Sequence, residues 1–343
     1  MARRPTIADL ARESGVSVAT VDRVLNARHP VREETTRRVY DAATAIGYHA
    51  AGLIKQRLHQ DLPQYRLGFI LQQPSQPFYQ SFAREIENAV AGAPHFRGIA
   101  QIDHVESQTP TEISKKLRDM AARSRAVAMV SVDHPTINAT IAELKENGTP
   151  VFSLLSDFAT GVRAGYIGLN NRKAGRTAAW IIAKTAKRPG KVAVFVGSHR
   201  FLGQEMREIG FRSYFRELAP EFALIDTMVN LEARTIAHEA TLDLLHRHPD
   251  LVGFYVAGGG MEGAISALRE ENMADRLVAV CNELTPDSRT ALAENIMTMV
   301  IGTPLERLCR ELVIQMAHTI ERGDAETPGQ TFLPFDIFTA ENI

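Results

Sequence analysis

Between Thr6 and Asn26 the apolar residues recur at helical spacing in two short runs broken at Gly15. Ile7, Leu10 and Ala11 on the first run face Val21, Val24 and Leu25 on the second, so two short helices share one apolar seam. Thr6 and Ser17 are placed as N-caps, because each hydroxyl can take a hydrogen bond from a free amide of the turn that follows. Val18, Ala19, Asp22 and Arg23 stay outside that seam. A third helix is expected from about Arg32 to Ile46, with Val39, Ala42, Ala43 and Ile46 closing a three-helix core and Gly47 supplying a left-handed stop. Arg37, Arg38 and Thr35 fall on its outer side.

From Tyr65 onward the pattern changes. Apolar runs of strand length, RLGFIL, FRGIAQI, AVAMVSV, PVFSLL, KVAVFV, ALIDTMV, LVGFYVA, LVAVC and MTMVI, alternate with helix-length amphipathic stretches at 79–91, 111–123, 136–147, 172–187, 203–218, 233–247, 260–272 and 304–321. Such alternation builds parallel sheets with helices on both faces, and so many units exceed one small sheet. The expected fold is α/β: a helical headpiece over 1–48, a linker over 49–64, and a two-lobed domain over 65–343.

Composition sharpens this division. The 343 residues carry 39 Lys and Arg against 40 Asp and Glu, a balance that by itself points to no nucleic-acid partner. The distribution does, since residues 1–60 hold ten basic against six acidic side chains, a net +4 that leaves −5 for the remainder. Cys281 and Cys309 are too few and too far apart for a disulfide framework or a zinc site, which suits a reducing compartment. MARRPT leads directly into a capped helix without an apolar signal segment, and no run approaches membrane-spanning length. A cytoplasmic protein is expected.

Two capped helices with a corner at Gly15 form a helix-turn-helix, whose second helix enters the major groove of DNA. The stretch ATVDRVLN followed by VREETTRRVYDAATAIGYH resembles the LacI/GalR family of bacterial transcription regulators, and the resemblance extends over the whole chain. It implies that Arg23, with Val18 and Ala19, reads base edges, while Thr6, Ser17, Thr20, Asn26 and Thr35 hold phosphates. Arg32 stands where the family usually has a helix-opening serine, exchanging a cap for a phosphate-contacting guanidinium. Family members fold the linker into a hinge helix on DNA and wedge a leucine into the minor groove. Here that residue is Leu58, one position later than expected, with Arg57 in register.

For the body, the resemblance implies a periplasmic sugar-binding-protein fold with crossovers near 165–171, 283–297 and 328–334 and a ligand cleft between the lobes. Phe78 and Tyr79 follow the first strand, where an aromatic face packs against sugar C–H groups. Asp133 follows the third strand and is suited to accept paired hydroxyl bonds. Arg207 falls where the family places its sugar-binding arginine. Other strand ends depart from the family pattern: Gly259-Gly260 replaces Asn-Asp, Asn282 with Glu283 beside it replaces Asp, Gly302 replaces Gln, and Asn170 takes a position that is often acidic.

The expected function is that of a homodimeric regulator, a repressor of carbohydrate or polyol catabolism genes, binding a palindromic operator under control of a sugar, polyol or sugar acid, with no cofactor and no metal. Two other classes have some footing in the sequence. Gly258-Gly259-Gly260-Met261-Glu262-Gly263 fits G-x-G-x-x-G after a strand, with Glu283 about twenty residues on, as an NAD-dependent oxidoreductase would require. Against that reading, no His-Asp or Lys base pattern accompanies it, and no G-x-S-x-G elbow, Walker loop or H-E-x-x-H occurs. A solute-binding protein would share the body but carry no basic helical head. His246 and His248 are not spaced to share a helix face, which makes them poor metal ligands.

Overall fold

The computed structural model describes residues 4–26, 31–54, 62–106, 109–323 and 329–343. The chain divides into two compact units, Met1–Tyr65 with Ala93–Gly98, and Arg66–Gly92 with Ile99–Ile343.

The first unit holds helices Ile7–Ser14, Val18–Asn26 and Glu33–Ala45. Thr6 and Asp9 form a reciprocal capping box, the Asp9 amide donating to the Thr6 hydroxyl at 3.3 Å and the Thr6 amide to the Asp9 carboxylate at 2.9 Å. Gly15 ends the first helix at φ 64°, a left-handed conformation that costs a glycine little, and its amide returns to Ala11 and Arg12. The Ser17 hydroxyl accepts from the Thr20 amide at 3.1 Å and opens the second helix. Arg32 opens the third without a side-chain cap. Leu10, Ala11, Val21, Val24, Val39, Ala42 and Ala43 pack into one core, which Tyr48 and Ile54 extend beyond the third helix. Arg38 is more than an outer charge, since it donates to the Ser14 carbonyl at 2.8 Å and ties the third helix to the end of the first.

The second unit contains two sheets, apart from the first two residues of β1 and of β2, which are counted with the first unit. The first has strand order β12-β5-β4-β3-β1-β2, from β1 Gln64–Gln72, β2 Arg97–Val105, β3 Ala126–Met129, β4 Val151–Leu154, β5 Gly165–Leu169 and β12 Gly329–Leu333. The second has order β13-β11-β10-β9-β6-β7, from β6 Lys191–Val196, β7 Ala223–Leu224, β9 Leu251–Val256, β10 Val278–Asn282, β11 Met299–Gly302 and β13 Asp336–Phe338. A further strand, β8 Met228–Val229, pairs with β6. Pairing is parallel within the second sheet except at β13, which lies antiparallel to β11. Apolar clusters coat both faces of that sheet, one around Ile182, Phe211, Phe215 and Tyr255, the other around Phe195, Phe254, Ile265 and Leu268. Among the described residues no helix is long and apolar enough to cross a membrane.

The chain passes between the sheets after β5, after β11 and after β12. The first and third passages agree with the expected crossovers near 165–171 and 328–334. The middle one does not: residues 283–297 hold the helix Pro286–Ala293 between two strands of the same sheet, and the return follows Gly302. A Thr285–Ser288 capping box and a proline in the first turn make a helix of a stretch whose polar composition reads as a connector.

One close approach sets up the site. Helices Asn171–Thr185 and Leu202–Leu218 touch backbone to backbone, so a Cβ on Gly175 would lie 1.8 Å from the Arg207 carbonyl and one on Gly210 2.2 Å from that of Arg172. Only glycines permit this spacing, which brings Arg207 beside Asn171.

Candidate functional site

Two surfaces carry chemistry, one in each unit. On the headpiece, Val18 is 47% exposed, and Ala19 and Arg23 are also exposed along the second helix. Ser17 and Thr20 pair hydroxyl to hydroxyl at 2.9 Å. Asn26 donates to the Asp22 carboxylate at 2.6 Å, which gives that acid a partner on its own helix and engages the amide expected at a phosphate. Thr6 is held by its capping box, Arg32 is exposed, and Thr35 is half-buried. Leu58 lies outside the described residues.

In the second unit, the ends of strands from both sheets surround a cavity open to solvent on one side. Its wall includes Phe78, Tyr79, Arg207, Gly259, Asn282 and Glu283, all six expected at a ligand. Asp133, Asn170 and Gly302 are not on it. Asp133 is exposed and accepts from the Asn138 amide group at 2.9 Å and the Ala159 backbone at 3.2 Å. Asn170 caps the following helix through the Lys173 amide at 3.0 Å, and its neighbour Asn171 turns inward instead. Gly302 is packed under the Phe338 ring, where a Cβ would meet Cε2 at 2.6 Å.

Arg207 anchors the wall. Its Nε donates to Asn171 Oδ1 at 2.7 Å and its Nη1 to the Ala257 carbonyl at 2.9 Å, while Nη2 donates to none of the described residues. Glu232, which sequence reasoning passed over, enters from the loop after β8. Its Oε1 accepts from Gln204 at 2.7 Å and from the Gly259 amide at 3.3 Å. Glu283 is oriented by Thr303, whose amide and hydroxyl donate to its two oxygens at 2.9 and 2.8 Å. Burial pushes the carboxyls of Glu232, Glu283 and Glu262 up from their ordinary value, against the opposing pull of Arg207 on the first two. Burial likewise raises the Tyr79 phenol, with Glu232 and Glu283 adding to the shift.

The glycine run after β9 is explained by packing. A Cβ on Gly258 would sit 2.5 Å from Gln204, one on Gly259 2.9 Å from the Glu232 side chain, and one on Gly263 2.0 Å from the Arg234 carbonyl. The Gly259 amide, the donor a diphosphate would use, is already committed to a carboxylate.

The fold and these two surfaces define a class: a helix-turn-helix headpiece joined to a two-lobed binding domain with its cleft at the strand ends. Residues 6–50 match the model of bacterial regulatory proteins of the lacI family, and residues 67–324 match a periplasmic binding protein domain. The chain belongs to the lacI family of bacterial regulatory proteins. It is 26% identical to an uncharacterised HTH-type transcriptional regulator in the aml 5′ region of Streptomyces limosus, over 62% of this chain and 59% of that one. That match therefore spans less than two thirds of the relative. The sucrose operon repressor of Streptococcus mutans is 22% identical over 98% of this chain and 99% of its own. Among solved structures, the glucose-galactose binding protein GanP of Geobacillus stearothermophilus shares the fold, with a TM-score of 0.73 at 17% identity over 82% of this chain and 99% of that one.

Proposed function

We propose that this protein is a ligand-responsive, DNA-binding transcription repressor, acting in the cytoplasm as a homodimer on a palindromic operator. Its effector is a hydroxyl-rich small molecule held in the cleft around Arg207. The observation that carries this reading is the presence on one chain of a capped second helix exposing Val18, Ala19 and Arg23 and of a cleft lined by aromatic rings, carboxylates and a guanidinium. The name of the Streptococcus mutans relative, a sucrose operon repressor, supports a carbohydrate-linked role.

Arg23, Val18 and Ala19 read base edges in the major groove, and Thr6, Ser17, Thr20, Asn26, Arg32 and Thr35 position the helix on the backbone. Effector binding favours one arrangement of the two lobes, and the differential affinity, typically about 1–3 kcal/mol, is what changes operator binding. Arg23→Ala is expected to lower discrimination at one base pair of each half-site by about 1–3 kcal/mol. Competition binding with operator variants measures it. A loss equal on every sequence would show that Arg23 contacts phosphate only, and absence of preference for any palindrome over bulk DNA would remove the reading itself.

A further inference from the structure

The cleft holds more acidic groups than basic ones. Glu232, Glu262 and Glu283 share its wall with a single guanidinium, that of Arg207, two of whose nitrogens already serve Asn171 and Ala257. Glu262 makes no salt bridge with any described residue, and Glu232 uses only Oε1, leaving Oε2 without a described donor. Both Glu232 and Glu283 hold left-handed backbones, at φ 55° and 72°, in positions where a non-glycine residue is strained.

A second observation points to a missing partner. Asn282, 1% exposed and also on the cavity wall, has an Nδ2 without a hydrogen-bond partner, while its Oδ1 accepts from the Tyr255 hydroxyl. A buried donor left this way is costly unless a ligand atom accepts from it.

We propose, resting on the reading of this cleft as the effector site, that the effector carries an ammonium group on a hydroxylated frame, an amino sugar or amino polyol. The ammonium sits against Glu232 and Glu283, and a ligand oxygen accepts from Asn282. An ammonium supplies three donors, one of them able to reach the Glu232 oxygen that has none, and it favours the ionised carboxylates against the burial that opposes them. A neutral sugar leaves that opposition uncorrected, and a sugar acid adds to it. The Phe78 and Tyr79 rings, edge to face with centroids 5.2 Å apart, offer π faces that favour a cation at the same mouth. Tyr79 is near enough to Glu232, Glu283 and Arg207 for all three to act on its ionisation, which brings them together around one small volume.

The test is calorimetric titration of the full chain with D-glucosamine, D-galactosamine and D-glucamine, each beside D-glucose, D-galactose or D-glucitol, with D-gluconate and D-glucuronate as acids. At least one amine is expected to bind roughly tenfold or more tightly than its hydroxyl counterpart, the acids not at all. Glu232→Gln and, independently, Glu283→Gln are expected to abolish that preference, each checked for native circular dichroism so that one misfolded variant leaves the other to decide. Equal or tighter binding of a neutral sugar, binding of an acid, or no binding of any amine overturns the proposal. If a neutral sugar or acid binds and alters operator affinity, the sensor reading stands and only the ammonium is lost. If none of the eight compounds alters affinity for any palindrome, the reading of the cleft as an effector site fails as well.

Discussion

The second unit buries carboxylates in two places, and they are treated in opposite ways. Asp157 and Arg163, 6% and 1% exposed, face each other through two nitrogens of the guanidinium, with the Nη2 bond at 2.8 Å. Ser153, Gln330 and the Phe158 amide also donate to that carboxylate, at 2.8, 2.7 and 2.9 Å, and Arg163 reaches the Gly329 carbonyl at 3.1 Å. Burial alone would raise the Asp157 carboxyl, but the bonds from Arg163, Gln330 and Ser153 outweigh it and hold it below its ordinary value. In the cleft the balance tips the other way, and burial keeps Glu232 and Glu283 high. A buried charge with a full set of partners is architecture, here stitching β12 to the β4–β5 region. One with a partial set has room for something else.

The contrast breaks most visibly at Arg163. Replacing it by methionine strands a buried carboxylate and is expected to cost about 3–5 kcal/mol in urea unfolding. Stability supplied by Asp157 is complete above its unfolded pKa and is lost as pH falls through its lowered folded value, so the Arg163→Met deficit should shrink in acid. Glu232→Gln should act with the opposite sign. A raised folded pKa means the native state is favoured when the group is protonated and loses that advantage as pH rises through the folded value. The variant without ligand is therefore expected to melt higher than the parent at pH 7, with the gain vanishing below the carboxylate range. Thermal melts at both ends of that window measure it, and a lower melting point at pH 7 would mean Glu232 is architecture after all. The smallest effect is expected from Tyr255→Phe, which removes the bond to Asn282 at about 1 kcal/mol and loosens the carboxamide at the cleft wall.

The headpiece was legible because its core residues, Leu10, Val21, Val24 and Val39, are strongly apolar and separated by helical intervals from polar neighbours. The same held for the long parallel strands. Strand β5, GYIGL, and strands β12 and β13 did not declare themselves, since they are short, rich in glycine or polar residues, and held by pairing with β4, β5 and β11 respectively that no local pattern encodes. The cleft was legible to within a residue or two. Periodicity ends where a strand ends, and beyond it the local backbone decides which of two neighbours turns inward. Asn170 caps its helix while Asn171 meets Arg207, and Gly302 lies under Phe338 while Thr303 orients Glu283. Glu232 had no signal of its own, because it reaches the cleft through a left-handed turn after a two-residue strand.

The contact of Gly175 with the Arg207 carbonyl has a mechanical consequence. With no side chain between them, the two helix backbones meet directly, and any Cβ at Gly175 would push apart the segment that bears the guanidinium. Tolerance to a differently shaped molecule then resides in the loops bearing Glu232 and Glu283, and retuning this cleft by substitution is more readily achieved there than by relocating the arginine.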